Sequence, residues 1–284
     1  MSYNLSLAMT CCDRLDYTRR TLESLQKCHG VKDIKLDIFC EPGSDSLPLS
    51  KWTKLSNAQS VIDYVKSLNF CDINVHINSE RFGHTRNSHC ALNYCFDNYK
   101  DYTVLIEDDQ LYSYDFLRIH DYFKEKYRDD SSIFTASLGH YISPKRIREE
   151  KELYTYTKHK HFSNQGWGTW LDRWNDIRDR WEEYETVTDH TYKNNYKHGG
   201  WDWKMSNVLR GDRSQVVSYI PRVYNFGQYG IHCKGDVWQT KVKLESWGGD
   251  FNIDLDQPLR YKNICIEDGM SPVPESHEKW KHYV

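Results

Sequence analysis

The feature that most constrains this chain is the regular alternation within its first 110 residues. Four runs read as strands: 4–11 (NLSLAMTC), 34–40 (IKLDIFC), 72–77 (DINVHI) and 102–106 (YTVLI). Helix-like segments lie between them at 15–25, 58–68 and 84–97. In the first of these, Leu15, Thr18, Leu22 and Leu25 recur at the helical period, with Asp16 as the expected cap. Strand-helix alternation of this kind predicts an α/β fold, a mostly parallel, Rossmann-like central sheet flanked by helices. Open sheets of this class bind ligands at the carboxyl ends of their strands. Three of the four predicted strands end in polar groups: Cys12-Asp13-Arg14, Glu41 before a Pro-Gly turn, and Glu107-Asp108-Asp109.

The second half is less regular. It reads as a strand over 132–138, a helix over 167–181, a helix over 201–211 ended by Gly211, a strand over 215–220, and an irregular tail over the last 40 residues. No Gly/Ser-rich, Pro-rich or like-charge run marks a linker. The expectation is therefore one domain over 1–284: a nucleotide-binding half over about 1–110, an acceptor half over about 111–245 and a tail over 246–284.

Composition narrows the classes of partner. With 38 basic and 41 acidic residues the net charge is −3, so the chain lacks the basic footprint of a nucleic-acid-binding or anionic-membrane-binding protein. No stretch approaches the roughly 18 apolar residues of a membrane span. The start of the chain is too polar for a secretory signal. Nine cysteines without a Cys-x-x-Cys pair read as reduced thiols, and the expected compartment is the cytoplasm. The 10 Trp and 21 Tyr residues serve packing in the main, but Trp167, Trp170, Trp174, Trp181, Trp201 and Trp203 cluster in the second half. Indole faces suit the C–H faces of sugar rings.

Three consecutive carboxylates after an apolar strand repel one another unless a cation compensates them. Hard oxygen ligands in small number suit Mg²⁺ or Mn²⁺ held jointly with substrate phosphates. Alone, the triplet would more often be a solvated acidic turn; its place at the end of a fourth parallel strand favours function. Arg14 at the first strand end can fork onto a diphosphate, and Glu41 at the second can accept from a base N–H. Asp202, between Trp201 and Trp203 after two glycines, reads either as a carboxylate shielded by indoles and so made basic, or as an acid at a helix N-terminus. His232, after Tyr229-Gly230-Ile231, could touch metal or phosphate.

In their order along the chain, these motifs resemble those of the GT-A glycosyltransferases, especially enzymes like the eukaryotic β-1,2-N-acetylglucosaminyltransferase I. The resemblance is carried by Cys12-Asp13-Arg14, Glu41 with Gly43, Glu107-Asp108-Asp109, Gly166-Trp167-Gly168-Thr169-Trp170, Trp201-Asp202 and Phe226-Gly227-Gln228-Tyr229-Gly230. It spans residues 5–240. Related bacterial glycosyltransferases are also similar and fit 166–174 better. The resemblance implies a GT-A fold, with Arg14, Glu41 and Asn87 on the nucleotide and Glu107 on the ribose. It implies Asp108 beside them, Ile231 and His232 over the diphosphate, and Asp109 on the metal. It further implies Asp202 as catalytic base and Gly166, Trp167, Gly168, Trp201 and Trp203 toward the acceptor sugar. Glu41 stands where the family has Asp, Asn87 where it has His, and one of two acidic residues after Trp201 is missing. The expectation is a chain without the membrane anchor and stem of the eukaryotic relatives, so that a Golgi location is not implied.

The expected function is thus a metal-dependent, inverting hexosyl- or N-acetylhexosaminyltransferase. It would use Mn²⁺ or Mg²⁺ and move a sugar from a nucleotide-diphosphate donor, a UDP-sugar such as UDP-GlcNAc, onto a glycan. A carbohydrate-binding protein on the same scaffold is one alternative. A sugar nucleotidyltransferase is the other, disfavoured because Thr10-Cys11-Cys12-Asp13-Arg14 holds no glycine to cradle a triphosphate.

Overall fold

The computed structural model describes residues 5–42, 58–139, 156–160, 162–181, 201–218, 221–227 and 272–273. Its first half follows the expected order closely: β1 (Ser6–Cys11), α1 (Leu15–Leu25), β2 (Lys35–Cys40), α2 (Ala58–Lys66), β3 (Asp72–Ile77), α3 (Gly83–Tyr99) and β4 (Tyr102–Glu107). Next come β5 (Gln110–Tyr112), α4 (Phe116–Lys126), β6 (Ile133–Ser137), β7 (Tyr156–His159) and β8 (Trp167–Trp170). The chain then forms α5 (Leu171–Asn175), α6 (Arg178–Trp181), α7 (Trp201–Lys204), β9 (Ser214–Ser218), β10 (Val223–Asn225) and β11 (Pro272–Val273).

Among the described residues nine strands form one sheet in the order β11-β7-β9-β6-β8-β4-β1-β2-β3, and β10 pairs with β5 in a separate ribbon. The four strands β4, β1, β2 and β3 are mutually parallel. Their pleat sends alternate side chains to opposite faces. Leu7, Met9 and Cys11 of β1, with Val104 and Ile106 of β4, enter a core shared with Leu22 and Leu25 of α1 and Val61 and Val65 of α2. Ala8 and Leu105 enter the opposite core with Ala91, Leu92 and Phe96 of α3. Burial on both faces explains why β1 and β4 read as near-continuous apolar runs.

Beyond β4 the sheet becomes mixed, because β8 inserts antiparallel between β4 and β6. This corrects the helix expected over 167–181. A helix would set residues three apart on one face. Here Trp167 enters one core and Trp170 the other, as a strand requires. The indole spacing only imitated a helical period, and the helices α5 and α6 begin after Trp170. Gly168 permits the insertion: a Cβ there would lie 2.5 Å from the Tyr102 ring carbon Cζ.

Two smaller expectations also change. Asp16 is not the cap of α1, whose N-cap is Arg14 without a side-chain cap bond; Asp16 stands in the first helical turn, where its charge complements the dipole. The helix expected over 201–211 is α7 followed by a π-helical turn, Met205–Leu209, and Gly211 follows with φ +61°. The helix α4 and the strands β5, β7 and β10 were not anticipated. Apart from β11, the tail lies outside the described residues.

Candidate active site

Parallel register brings the polar strand ends together. Cys11 of β1 stands opposite Cys40 of β2, and Thr10 of β1 opposite Glu107 of β4. Glu41, Cys12-Asp13-Arg14 and Asp108-Asp109 therefore emerge side by side from three neighbouring strands. The Arg14 guanidinium uses this proximity. Its Nε donates to Asp108 Oδ2 at 3.2 Å and its Nη2 to Asp109 Oδ2 at 3.1 Å, with a further close ion pair to Asp108 Oδ1.

Asp109 is held from a second side by the ribbon of β5 and β10, in which Gln110 pairs with Asn225. Asn225 Nδ2 donates to Asp109 Oδ1 at 3.2 Å, and the Phe226 amide donates to the Asp109 carbonyl at 2.9 Å. A Cβ on Gly227 would lie 2.8 Å from Asp109 Cγ, so glycine there leaves the space the carboxylate occupies. Phe226 in turn packs edge-on against Tyr17, with Arg14 over the Tyr17 ring and Arg20 over the Phe226 ring. The clasp ties β10 to α1 around the acidic turn.

The electrostatics separate the three carboxylates. Burial pushes Asp109 up to about 6; Arg14 opposes this, while the Asp108 and Glu107 charges add to it. Burial works against the Arg14 charge too, but Asp108 and Asp109 override it and raise its pKa. Glu107 is held elsewhere: its Oε1 lies 2.5 Å from His84 Nε2, and its Oε2 accepts from Gln110 Nε2 at 3.3 Å. Burial disfavours the His84 imidazolium, yet the Glu107 hydrogen bond and the Glu107, Asp202 and Asp109 charges raise its pKa overall.

Among the described residues no three His, Cys, Asp or Glu side chains are arranged to enclose a metal ion. Asp109 fits a different kind of cation site. It is a half-buried carboxylate beside the Asp108 and Glu107 charges, suited to Mg²⁺ or Mn²⁺, which keep water and take further oxygens from substrate phosphates.

The remaining residues singled out in the sequence divide into three groups. Glu41 faces inward: its Oε2 accepts from the Phe82 amide at 3.0 Å and its Oε1 from the Gly83 amide at 2.9 Å, so both oxygens hold the start of α3. Burial raises its pKa against these bonds. Asn87 is also buried, accepting from Asn78 Nδ2 at 3.0 Å and donating to the Phe39 carbonyl at 3.3 Å. Gly166, Trp167, Gly168 and Trp201 are buried as well, and neither indole has a face open to a sugar. Asp202, by contrast, is exposed. The indole shielding expected around it is absent on the Trp201 side, because that ring turns inward to stack on Trp181. Ile231, His232 and the Trp203 side chain lie outside the described residues.

Sequence reasoning missed His84 and Asn225. Nothing in their local pattern marks them, since each acquires its role from a partner far along the chain. The nearest signal is the Phe226-Gly227 pair beside Asn225.

No protein-family model matches the chain, and no curated protein matches it in sequence. Solved structures do resemble it. The crystal structure of S. aureus TarS 1-349 superposes with a TM-score of 0.50 at 10% identity, over 79% of this chain and 61% of that one. Mannosyltransferase PcManGT from Pyrobaculum calidifontis, in complex with GDP-Man and Mn²⁺, gives 0.41 at 10% identity over 62% of this chain and 46% of that one. S. aureus TarS 1-349 in complex with UDP gives 0.47 at 11% identity over 78% of this chain and 60% of that one. The chain thus spans about half to three-fifths of the length of these structures. The fold is a GT-A α/β fold. No described helix is long and apolar enough to cross a membrane.

Proposed function

We propose that the chain is a metal-dependent glycosyltransferase that moves a sugar from a nucleoside-diphosphate donor to a glycan acceptor with inversion at the anomeric carbon. The observation that carries this reading is the convergence of Arg14, Asp108 and Asp109 at the ends of β1 and β4. A guanidinium beside two adjacent strand-end carboxylates suits a diphosphate with its counter-cation. The GT-A fold is consistent with it.

Arg14 orients the diphosphate and offsets the charge that develops on it as the sugar leaves. A Mn²⁺ or Mg²⁺ ion held through Asp109 supplies the remaining neutralisation when bound. Asp202, open to solvent at the start of α7, accepts the proton of the attacking acceptor hydroxyl. With Trp201 turned inward, that role rests on the place of Asp202 at the start of α7. Glu107 is assigned to the ribose, as the family resemblance implies. Glu41 and Asn87 serve the nucleotide by fixing the start of α3, and a UDP-sugar such as UDP-GlcNAc is the proposed donor. The acceptor half is proposed to lie within the same domain.

The test is nucleotide release from UDP-, GDP- and dTDP-sugars, with Mn²⁺ and with chelator, for wild type and Asp109→Ala. Metal-dependent release from one donor, lost in the variant, is expected. Silence across the panel together with metal-independent sugar binding would favour a carbohydrate-binding protein on this scaffold.

A further inference from the structure

His84 stands where three elements meet. It is the second residue of α3, its Nε2 lies 2.5 Å from Glu107 at the end of β4, and its Nδ1 accepts from Trp201 Nε1 at 2.9 Å at the start of α7. An indole N–H can only donate, so Nδ1 must keep its lone pair. The ring proton therefore sits on Nε2 and is given to Glu107. Trp201 sets the tautomer, and the tautomer sets the bond to the acidic strand end.

The indole is itself fixed. Trp201 stacks on Trp181 with centroids 5.3 Å apart, and packs against Trp167 at 5.8 Å and Phe162 at 5.8 Å. Among the described residues α7 runs from Trp201 to Lys204 and passes directly into the π-helical turn Met205–Leu209. Its first residue is anchored by the aromatic stack and by His84, and its second is Asp202. Among the described hydrogen bonds, the His84 imidazole joins the helix bearing Asp202 to the strand bearing the acidic triplet.

We propose that His84 is a positioning residue that links Glu107 to Trp201 and thereby fixes where Asp202 stands relative to the donor site. This deepens the proposed function and rests on Asp202 receiving the acceptor proton. Two isosteres divide the link. His84→Gln presents its amide near Nε2, keeping Glu107 and losing Trp201. His84→Asn presents its carbonyl near Nδ1, keeping Trp201 and losing Glu107. Trp201→Phe removes the N–H and keeps a ring in the stack.

The experiment measures kcat and donor KM for wild type, both His84 variants, Trp201→Phe and the His84→Gln/Trp201→Phe double variant. Hydrogen exchange of residues 201–209 is followed in each. A displaced base lowers kcat by roughly tenfold to a hundredfold while donor KM stays within about twofold. His84→Gln and Trp201→Phe are each expected to do this, and Trp201→Phe to add nothing to His84→Gln, since both cut the same bond; His84→Asn, which frees Glu107 on the ribose side, is expected to raise donor KM as well. Faster exchange over 201–209 should accompany His84→Gln and Trp201→Phe. A raised donor KM at unchanged kcat, or independent effects of the two substitutions, would overturn the proposal. Should wild type release no nucleotide from any donor, the glycosyltransferase reading fails by itself. The exchange data then decide this one, and unaltered exchange over 201–209 in His84→Gln would sink it.

Discussion

Asp109 concentrates the conflict between stability and function. Its folded-state pKa is pushed up to about 6 from an ordinary 3.8, chiefly by burial. For an acid whose pKa rises on folding, the charged form is the one the fold disfavours. The penalty is absent below about pH 4, grows as pH rises through the interval, and is complete above about pH 6. That is the sign proton linkage gives for a carboxyl whose pKa rises on folding. Asp109→Asn is therefore expected to raise the melting temperature of the chelated protein at pH 8, and to do little at pH 4. Thermal unfolding at the two pH values tests this; equal destabilisation at both would show that the carboxylate is not strained by its charge. The same substitution should abolish metal-dependent turnover. A destabilising charge is what a bound cation would relieve.

The start of α3 is the element on which the site turns, and a side chain from another strand organises it. Phe82 at the N-cap makes no side-chain cap bond, so the first amides of the helix would be left without acceptors. Glu41 supplies both acceptors from the end of β2. Glu41→Ala is expected to cost about 1 to 2 kcal/mol in urea unfolding, as the loss of a helix cap does. Glu41→Gln, which keeps one acceptor, should cost less. If the two variants unfold at the same urea concentration as wild type, the helix start does not depend on Glu41. Because His84 and Asn87 both ride on α3, loosening its start would misplace the residues facing the donor site as well.

At the scale of the whole molecule, the fold assembles a site whose parts come from distant stretches of chain. Arg14, Asp109, Asn225 and His84 converge only after β1, β4, β10 and α3 have packed. Such a site gains stability from its ligand by mass action. UDP at a hundred times its dissociation constant should add about 2.7 kcal/mol to unfolding, provided that Mn²⁺ is present. Differential scanning fluorimetry with Mn²⁺ and with chelator checks this. Equal stabilisation under both conditions would mean that the nucleotide binds without a cation on Asp109.

The alternation of apolar runs and helical periods was enough to determine the first half of the fold. A strand buried on both faces is apolar at most of its positions, and β1 and β4 are so; apart from the terminal Glu107 their few polar residues are small hydroxyls within the sheet. The strand-end motifs were legible for a related reason: Arg14, Glu41 and Asp109 each follow a predicted strand directly. Local pattern could not reveal β8, because Trp167 and Trp170 owe their opposite directions to two cores on either side of a sheet, while their spacing alone suits a helix. Nor could it reveal that Glu41 turns inward to cap α3, or that Trp201 is spent on packing and leaves Asp202 exposed. Those outcomes depend on which groups arrive beside each residue when the strands take up register. Tertiary structure alone decided them, since a hydrogen bond between His84 and Glu107 or between Asn225 and Asp109 exists only once distant segments have been brought within 3.2 Å or less.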